Sequence, residues 1–219
     1  MRFKLGLVLI SLLPIWPLRR RFYNAFYKYE IDKNSRIGMF NYINCNSLRM
    51  KQATIGSFNF IVVRTLDLGL KSNIYSRNRI KNLNCLTIGE SGIIYKSNFI
   101  GGPNNGNKPF IFEMQNLLLG NSSDILRNNY FDIVRPIIIG NNVVFGGEGS
   151  EIWTHGFETN RTMLTGEVSF GNNIFIGSGC VFTKSVHVCD NVTIGPSSVI
   201  YKSINEPGFY TTHQIIKVK

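Results

Sequence analysis

Apolar residues return along this chain with a period of six, which neither an α-helix nor an ordinary amphipathic strand produces. In the second half of the chain, large apolar residues stand at six-residue intervals, namely Phe170, Ile176, Phe182, Val188, Ile194 and Ile200. Short strands joined by tight turns explain this period, because every sixth side chain then points into a shared core. The pattern therefore predicts coils of three strands each.

The six-residue period is nested in a longer repeat of 18 residues. Three segments align: IGNNVVFGG from Ile139, FGNNIFIGS from Phe170 and VCDNVTIGP from Val188. The last two begin 18 residues apart, whereas the first two begin 31 apart, so one unit carries 13 additional residues. Weaker traces occur upstream, as in RIG from Arg36 and TIG from Thr54. Because a single coil cannot bury its own apolar face, the repeats predict a stack with one continuous core.

These units resemble the hexapeptide repeat of left-handed β-helix acyltransferases, and VSFGNNIFIGSGCVFTKSV resembles the final coils of the galactoside, maltose and polysaccharide O-acetyltransferase branch. The resemblance covers roughly residues 35–205 and is strongest after Ile137. It implies an all-β fold, a left-handed parallel β-helix shaped as a triangular prism, and a homotrimer with active sites between neighbouring prisms. The expected parts are an N-terminal helical segment at 1–34, the β-helix with a loop excursion at 156–168, and a C-terminal tail at 206–219.

His155, one of three histidines, stands where the additional 13 residues leave the regular coil. Loops that leave a rigid β-scaffold commonly carry the chemistry of a protein. An imidazole can take the proton of an attacking hydroxyl and later pass it to a departing thiol. The resemblance places the catalytic base of the family at this position. We therefore expect His155 to be the general base of acetyl transfer from a thioester to a hydroxyl.

An imidazole base works best when a carboxylate fixes its tautomer. Asp132 is the first candidate, because it precedes His155 by 23 residues, close to one 18-residue coil and one six-residue face. The competing carboxylates are Glu148, Glu151, Glu158 and Glu167. The segment that contains Asp132 also resembles the family segment preceding the histidine coil. It could equally bind substrate hydroxyls, which makes Asn129 and Tyr130 candidate substrate-binding residues.

One coil breaks the period. From Phe145 to Ile152 the step is seven residues instead of six. A one-residue bulge re-aims the residues that follow it, so we expect Trp153, Thr154 and His155 to turn outward into a cleft. There Trp153 would offer a flat apolar face to a sugar ring; the alternative is that it packs beneath the loop as a core residue.

By resemblance, the acyl donor is acetyl-CoA, whose pantetheine arm runs past the last coils. Phe175, Gly177 and Ser178 would line that arm, Lys202 matches a basic residue near the phosphates, and Lys184 is its in-register neighbour one coil earlier. Either lysine could instead be a solvated corner residue. The C-terminal sequence GFYTTHQIIKVK departs from the Gly-x-Pro-Ala-Lys-like ending of the family, which leaves the nucleotide contacts open.

Charge, cysteine content and histidine spacing limit which partners, compartment and metals are expected. Lys and Arg outnumber Asp and Glu by 24 to 13, a net charge of +11, which suits an anionic cofactor, an acidic glycan, a membrane face or nucleic acid. No recognisable nucleic-acid-binding motif accompanies the basic residues, so nucleic acid is not expected. The four dispersed cysteines favour a reduced, cytoplasmic protein. The spacing of His187 and His213 from His155 does not resemble that of the trimeric zinc-binding prisms, and no metal is expected.

The N-terminal segment contrasts with the rest of the chain. Its apolar run from Leu5 to Leu18 contains two prolines and is shorter than the roughly 20 residues of a spanning helix. Three arginines follow, Arg19 to Arg21, without a small-residue cleavage site. The pattern favours either a helix in the interface of the inner membrane, with residues 1–21 in peripheral contact, or packing on the protein's own domain or a neighbouring subunit.

Together these features favour an acetyl-CoA-dependent O-acetyltransferase. The expected acceptor is a sugar hydroxyl of a bacterial surface polysaccharide, such as an O-antigen or capsule, or of its lipid-linked precursor. One alternative is an N-acetyltransferase for an amino-sugar nucleotide, whose amine needs less assistance from a base. Another is a β-helical binding or scaffold protein in which the histidine is structural.

Overall fold

The computed structural model describes residues 4–103 and 111–212, which form two helices followed by a β-solenoid. The helices are α1 (Leu5–Leu12) and α2 (Trp16–Tyr27), and a short 3-10 helix occupies Phe112–Met114. His213, expected in the C-terminal tail, lies outside the described residues.

The strands are short, as the six-residue period predicts. In chain order they are β1 (Glu30–Ile31), β2 (Arg36–Ile37), β3 (Tyr42–Asn44), β4 (Ser47–Met50), β5 (Thr54–Ile55), β6 (Phe60–Leu68), β7 (Asn73–Ile74), β8 (Arg79–Ile88), β9 (Ile93–Ile94), β10 (Phe99–Gly101), β11 (Asn116–Leu119), β12 (Asp124–Arg127), β13 (Tyr130–Asp132), β14 (Ile137–Ile139), β15 (Val143–Glu148), β16 (Glu151–Trp153), β17 (His155–Phe157), β18 (Met163–Thr165), β19 (Val168–Phe170), β20 (Ile174–Ile176), β21 (Val181–Phe182), β22 (His187–Val188), β23 (Val192–Ile194), β24 (Val199–Ile200) and β25 (Gly208–Tyr210).

These strands stack in register as three faces, and each coil adds one strand to each face. Face 1 contains β1, β4, β11, β14, β19 and β22 with the C-terminal halves of β6 and β8. Face 2 is the nine-stranded sheet β2-β5-β7-β9-β12-β15-β20-β23-β25. Face 3 contains β3, β10, β13, β16, β21 and β24 with the N-terminal halves of β6 and β8. Pairing within the faces is parallel, so the expected parallel β-helix is confirmed.

The core is a set of inward-pointing columns that run along the solenoid. On face 2 each strand contributes one apolar residue that pairs in register with its equivalent in the next coil. This column comprises Ile37, Ile55, Ile74, Ile94, Ile125, Phe145, Ile176 and Ile194, each at most 1% exposed. Stiff β-branched side chains suit such pleated positions. The columns are the physical origin of the six-residue period.

A ladder of buried asparagines marks the corner that leads into face 3. Its members are Asn41, Asn59, Asn78, Asn98 and Asn129, each 2% exposed. The side-chain carbonyl of each accepts the backbone N–H of its equivalent in the next coil at 2.7–3.0 Å, and Asn129 accepts that of Ser150 at 3.0 Å. The Asn129 amide is thus buried and hydrogen-bonded within the chain, and that Asn129 binds substrate stays a prediction.

The two helices close the N-terminal end of the solenoid. Leu7 and Tyr23 are fully buried there, and the buried Arg19 donates from Nη2 to the carbonyl of Ile37 at 3.0 Å. One side of the segment thus packs on its own domain. Large apolar side chains on its outer side remain 45–71% exposed, namely Leu5, Leu9, Leu12, Ile15 and Phe26. Within residues 4–103 and 111–212, no helix has the length and apolar character needed to cross a membrane.

The ends of the solenoid extend slightly beyond the expected limits of 35–205. Strand β1 pairs with β4 before residue 35, and β25 pairs with β23 inside the segment expected to be a tail. A terminal coil has a neighbour on one side only, so its side chains need less apolar character. For this reason the hexapeptide pattern fades before the fold ends.

Candidate active site

His155 and Asp132 lie next to each other at the corner between faces 3 and 1. Asp132 ends β13 and is the register partner of Trp153, which ends β16 one coil later. Register partners are 21 residues apart here, and His155 follows Trp153 by two residues. The His155 Nδ1 and Asp132 Oδ2 atoms are 2.6 Å apart. The side chains are 21% and 13% exposed, so the pair is shielded but still reachable from solvent.

This contact defines the orientation of the ring. A carboxylate accepts but does not donate, so Nδ1 carries the proton and Nε2 carries the lone pair that a base needs. Burial raises the pKa of Asp132 above its usual range, and the hydrogen bond and charge of His155 oppose part of that rise. The arrangement can accept a proton at Nε2 and stabilise the resulting imidazolium.

Two of the competing carboxylates, Glu148 and Glu151, are engaged elsewhere. Glu148 forms an ion pair with Nε of Arg127 at 3.0 Å. Glu151 accepts the indole N–H of Trp153 at 2.8 Å. Among the described residues, Asp132 is the carboxylate that contacts the His155 ring.

The loop excursion is a β-hairpin with His155 at its base. Strands β17 and β18 pair antiparallel, with His155 opposite Thr165 and Phe157 opposite Met163. Arg135 anchors the returning strand by donating from Nε to the hydroxyl of Thr165 at 2.9 Å. The antiparallel pairing thus holds the backbone that carries the candidate base.

Thr154 was expected to turn outward with its neighbours, but it is fully buried. Its hydroxyl donates to the carbonyl of Asp132 at 2.8 Å and accepts the backbone N–H groups of Val134 and Arg135 at 2.7 and 3.1 Å. The side chain therefore points inward because these buried backbone groups need partners. Thr154 ties the backbone of the histidine strand to that of the aspartate strand.

The seven-residue step corresponds to an irregular pairing at the corner before face 3. The register between β12 and β15 shifts after Ile125, and Arg127 pairs with Glu148. Gly147 and Gly149 adopt positive φ angles of 64° and 81°, which glycine adopts without steric cost. The pairing of β13 with β16 is regular again, so the bulge is absorbed before it reaches Trp153.

A stack of aromatic side chains runs along the outside of face 3 to the histidine. The Phe99 and Tyr130 rings are 4.9 Å apart and nearly parallel, and Trp153 continues the stack 5.1 Å from Tyr130. The His155 ring follows at 6.2 Å from Trp153, and Phe157 lies 5.6 Å beyond it. Tyr130 and Trp153 are thus partly exposed beside the candidate base, and that they bind substrate stays a prediction. Sequence reasoning missed Phe99 and Phe157, because the register between coils is not visible in a linear pattern.

The expected cofactor residues fall into two groups on opposite edges of face 3. Gly177 and Ser178 lie between β20 and β21, at the corner of faces 2 and 3, beside the half-exposed Phe175. Lys184 and Lys202 follow β21 and β24, at the corner of faces 3 and 1 that also carries His155. The stem of Lys184 lies 3.8 Å from where a Cβ on Gly156 would stand, beside the hairpin. Within one chain, the structure does not bring the two groups together.

A groove of about 510 Å³ follows the corner of faces 2 and 3. It is lined by Tyr75, Tyr95, Lys96, Leu126, Arg127 and Gly147. A Cβ on Gly147 would overlap the hydroxyl of Ser178, so the groove continues to the expected cofactor residues. Apolar walls with a few cations are what a long phosphate-bearing thioester needs.

The remaining histidines stand apart from this site. His187 lies at the start of β22, where its Nδ1 is 3.0 Å from the hydroxyl of Ser169. In the described ranges, no three His, Cys, Asp or Glu side chains come together as a metal-binding group. That the protein binds no metal stays a prediction.

The fold and the site define a β-solenoid of hexapeptide coils with a histidine–aspartate pair at the base of a hairpin. No family model matches the sequence, and no curated protein matches it significantly. Among solved structures, the polysialic acid O-acetyltransferase OatWY is similar, with a TM-score of 0.50 and 17% identity over 86% of this chain and 83% of that chain.

Two further acyltransferase structures are similar at lower scores. A hexapeptide-repeat-containing acetyltransferase from Vibrio cholerae has a TM-score of 0.42 and 18% identity over 57% of this chain and 71% of that chain. AntD, an N-acyltransferase from Bacillus cereus, solved as a variant with dTDP-4-amino-4,6-dideoxyglucose and coenzyme A, has a TM-score of 0.39 and 13% identity over 92% of this chain and 88% of that chain. The structural neighbours are thus hexapeptide-repeat acetyltransferases and related acyltransferases, and the fold expected from the sequence resemblance is confirmed.

Proposed function

We propose that this protein is an acetyl-CoA-dependent O-acetyltransferase that acetylates a sugar hydroxyl of a bacterial surface polysaccharide or its lipid-linked precursor. The observation that carries the proposal is the 2.6 Å contact between His155 Nδ1 and Asp132 Oδ2 at the base of a hairpin, on a scaffold shared with OatWY. A shielded carboxylate that holds a partly exposed imidazole suits general-base catalysis.

In the proposed reaction, Nε2 of His155 removes the proton of the acceptor hydroxyl as the oxygen attacks the thioester carbonyl. The resulting imidazolium is stabilised by Asp132 and gives the same proton to the departing thiolate. A C–O bond forms, the C–S bond breaks, and the histidine returns to its starting state. Proton transfer of this kind typically contributes about 10²- to 10⁴-fold to the rate.

We further propose that the donor binds between two copies of the chain, as the homotrimer implied by the sequence resemblance requires. The two edges of face 3 support this. Gly177, Ser178 and the adjoining groove lie on one edge, whereas His155, Lys184 and Lys202 lie on the other. A ligand that contacts both groups needs one edge from each of two neighbouring chains.

We also propose that the protein lies in the cytoplasm, at the inner membrane. Four cysteines without disulfides suit a reducing compartment. The exposed Leu9 and Phe26 line a groove of about 530 Å³ between α1 and α2, and Arg20 and Arg21 directly precede Phe22, another lining residue, in the sequence. An apolar surface with neighbouring arginines matches anionic headgroups over acyl chains, where a lipid-linked acceptor would be found.

The experiment that tests the function measures thiol release from acetyl-CoA with a panel of bacterial glycans, with and without each acceptor. Wild-type protein should release thiol in an acceptor-dependent way, and the product should carry an alkali-labile O-acetyl ester. Failure to bind acetyl-CoA at millimolar concentration by calorimetry would contradict the proposal. An alkali-stable amide product would instead identify an amino-sugar acceptor.

A further inference from the structure

Two cations lie at one end of the aromatic stack, three coils before the candidate base. Arg79 and Lys81 point outward from β8, and their register partners on β10 are Phe99 and Gly101. The Arg79 guanidinium carbon lies 5.9 Å from the centre of the Phe99 ring, and the Lys81 ammonium nitrogen lies 5.3 Å from it. Both charges therefore converge on one aromatic ring at the surface of face 3.

Neither cation has a carboxylate partner among the described residues. The ion pairs there join Arg49 to Asp67, Arg64 to Glu113 and Arg127 to Glu148, besides the site pair itself. Two converging cations repel each other, and the arrangement is favourable when an anion lies between them. Two neighbouring cations without a carboxylate partner therefore indicate a binding position for an anion.

The separation between these two cations and the candidate active site sets the minimum length of a ligand that reaches both. Lys81, Gly101 and Asp132 are consecutive register partners, so two strand spacings, roughly 10 Å, separate the lysine backbone from that of the aspartate. Gly101 lacks a side chain, and the stem of Lys81 occupies that space, 3.2 Å from where a Cβ would stand. A ligand held by Lys81 and reacting at His155 must span more than a single pyranose ring.

The surface between them favours a sugar chain over a nucleotide. A nucleobase binds an open ring face, but Phe99 and Tyr130 cover each other at 4.9 Å with planes only 4° apart. Their edges, and the adjoining Trp153, form an apolar strip along which the C–H groups of a glycan can pack.

Building on the proposed function, we propose that the acceptor is an acidic glycan of at least two sugars. Its carboxylate binds Arg79 and Lys81, its rings lie along Phe99, Tyr130 and Trp153, and its reacting hydroxyl meets Nε2 of His155. Charge-assisted hydrogen bonds to a carboxylate supply the selectivity for acidic over neutral acceptors.

The test compares the double variant Arg79→Met and Lys81→Met with a matched control, Lys51→Met and Lys71→Met. The control removes the same charge from the corner of faces 1 and 2, away from face 3. Each protein is assayed with uronic- or nonulosonic-acid-containing oligosaccharides and with their carboxyl-reduced counterparts. We expect KM for acidic acceptors to rise about tenfold or more in the Arg79 and Lys81 variant alone, with kcat and the KM for acetyl-CoA unchanged.

Direct binding separates this inference from the proposed function. Calorimetry with the acidic oligosaccharides, without acetyl-CoA, should give a dissociation constant that the Arg79 and Lys81 variant weakens by the same factor. If acetyl transfer occurs but carboxyl-reduced and acidic acceptors react equally well, the proposal of an acidic subsite is wrong, whereas the proposed acetyltransferase activity is supported. If acidic glycans bind through these cations but no acetyl transfer is found, the subsite stands and the proposed function fails. Tight binding of dTDP- or UDP-sugars that depends on Arg79 and Lys81 would overturn the preference for a glycan.

Discussion

The Nδ1 atom of His155 lies 2.6 Å from Oδ2 of Asp132, although the two residues belong to successive coils. Two devices hold this distance. The hydroxyl of Thr154 binds the backbone of the aspartate strand, and the hairpin fixes the strand that carries His155. The geometry of this candidate pair is therefore held by hydrogen bonds to and within the backbone.

Replacing His155 by alanine should lower kcat about 10²- to 10⁴-fold, because the acceptor hydroxyl loses its base. Binding of acetyl-CoA should persist, since the groove proposed to hold the donor is lined by other residues. Thiol release and calorimetry measure the two effects separately. His187→Ala is the matched control, because His187 is exposed and bonds to Ser169 away from the site. Equal rates for the two variants would assign His155 a structural role.

Asp132→Asn should lower kcat by roughly 10²-fold, since an amide neither fixes the productive tautomer nor stabilises an imidazolium as a carboxylate does. Asp132→Glu should recover part of the loss. A merely structural role would lower kcat without changing the pH profile. Positioning by a carboxylate predicts that the acidic limb of the kcat profile changes in Asp132→Asn but not in the glutamate variant.

The ionised side chain of Asp132 should lower the stability of the folded protein at neutral pH. Burial raises the pKa of Asp132 in the folded protein, so the folded state favours the protonated form more than the unfolded state does. Its favourable contribution is fully present below the unfolded pKa and is lost as pH rises through the folded value. Asp132→Asn, which cannot ionise, should therefore keep or raise Tm at pH 7 and lose this advantage near pH 3. A lower Tm at pH 7 would contradict this assignment and indicate that the pairing with His155 outweighs burial.

The Asn ladder should be a main determinant of stability. The Asn98 side chain donates to the carbonyl of Leu126 at 2.8 Å and accepts the backbone N–H of Asn129 at 3.0 Å, both in a buried corner. Asn98→Ala leaves these two groups without partners and should cost about 2–6 kcal/mol of unfolding free energy, at about 1–3 kcal/mol for each buried unsatisfied group. Urea unfolding measures this. Asn73→Ala, which removes one exposed hydrogen bond, should change it by less than about 1 kcal/mol.

The sequence predicted the fold well because the core consists of columns whose residues recur at nearly fixed intervals along the chain. Each inward position is occupied by a residue such as Ile176, and its partner in the next coil is Ile194, 18 residues later. This local regularity is readable without knowing any long-range contact. The asparagine corners were not predicted, since Asn98 and Asn129 are 31 residues apart and polar residues are usually exposed.

The candidate site was only partly predictable. The departure from the period located His155, and the coil length pointed to Asp132. The inward turn of Thr154 could not be foreseen, because it depends on unpaired backbone groups in the preceding coil. Likewise, the stacking of Phe99 on Tyr130 depends on the register across an interrupted coil, which the sequence leaves undetermined.

The outer side of the helical segment should bind anionic membranes. Leu9 and Phe26 are 57% and 71% exposed and line the groove between α1 and α2, and Arg20 and Arg21 belong to α2. Each surface arginine is worth about 1 kcal/mol near an anionic leaflet, so Arg20→Glu with Arg21→Glu should weaken partitioning onto phosphatidylglycerol vesicles by at least about 30-fold. Leu9→Glu with Phe26→Glu should act similarly through lost apolar burial.

Lys51→Glu with Lys71→Glu, an equal charge change at a distant corner, should have a small effect. If the helix variants change the oligomeric state and leave vesicle binding unaltered, this surface is an interface between subunits and the membrane proposal is wrong.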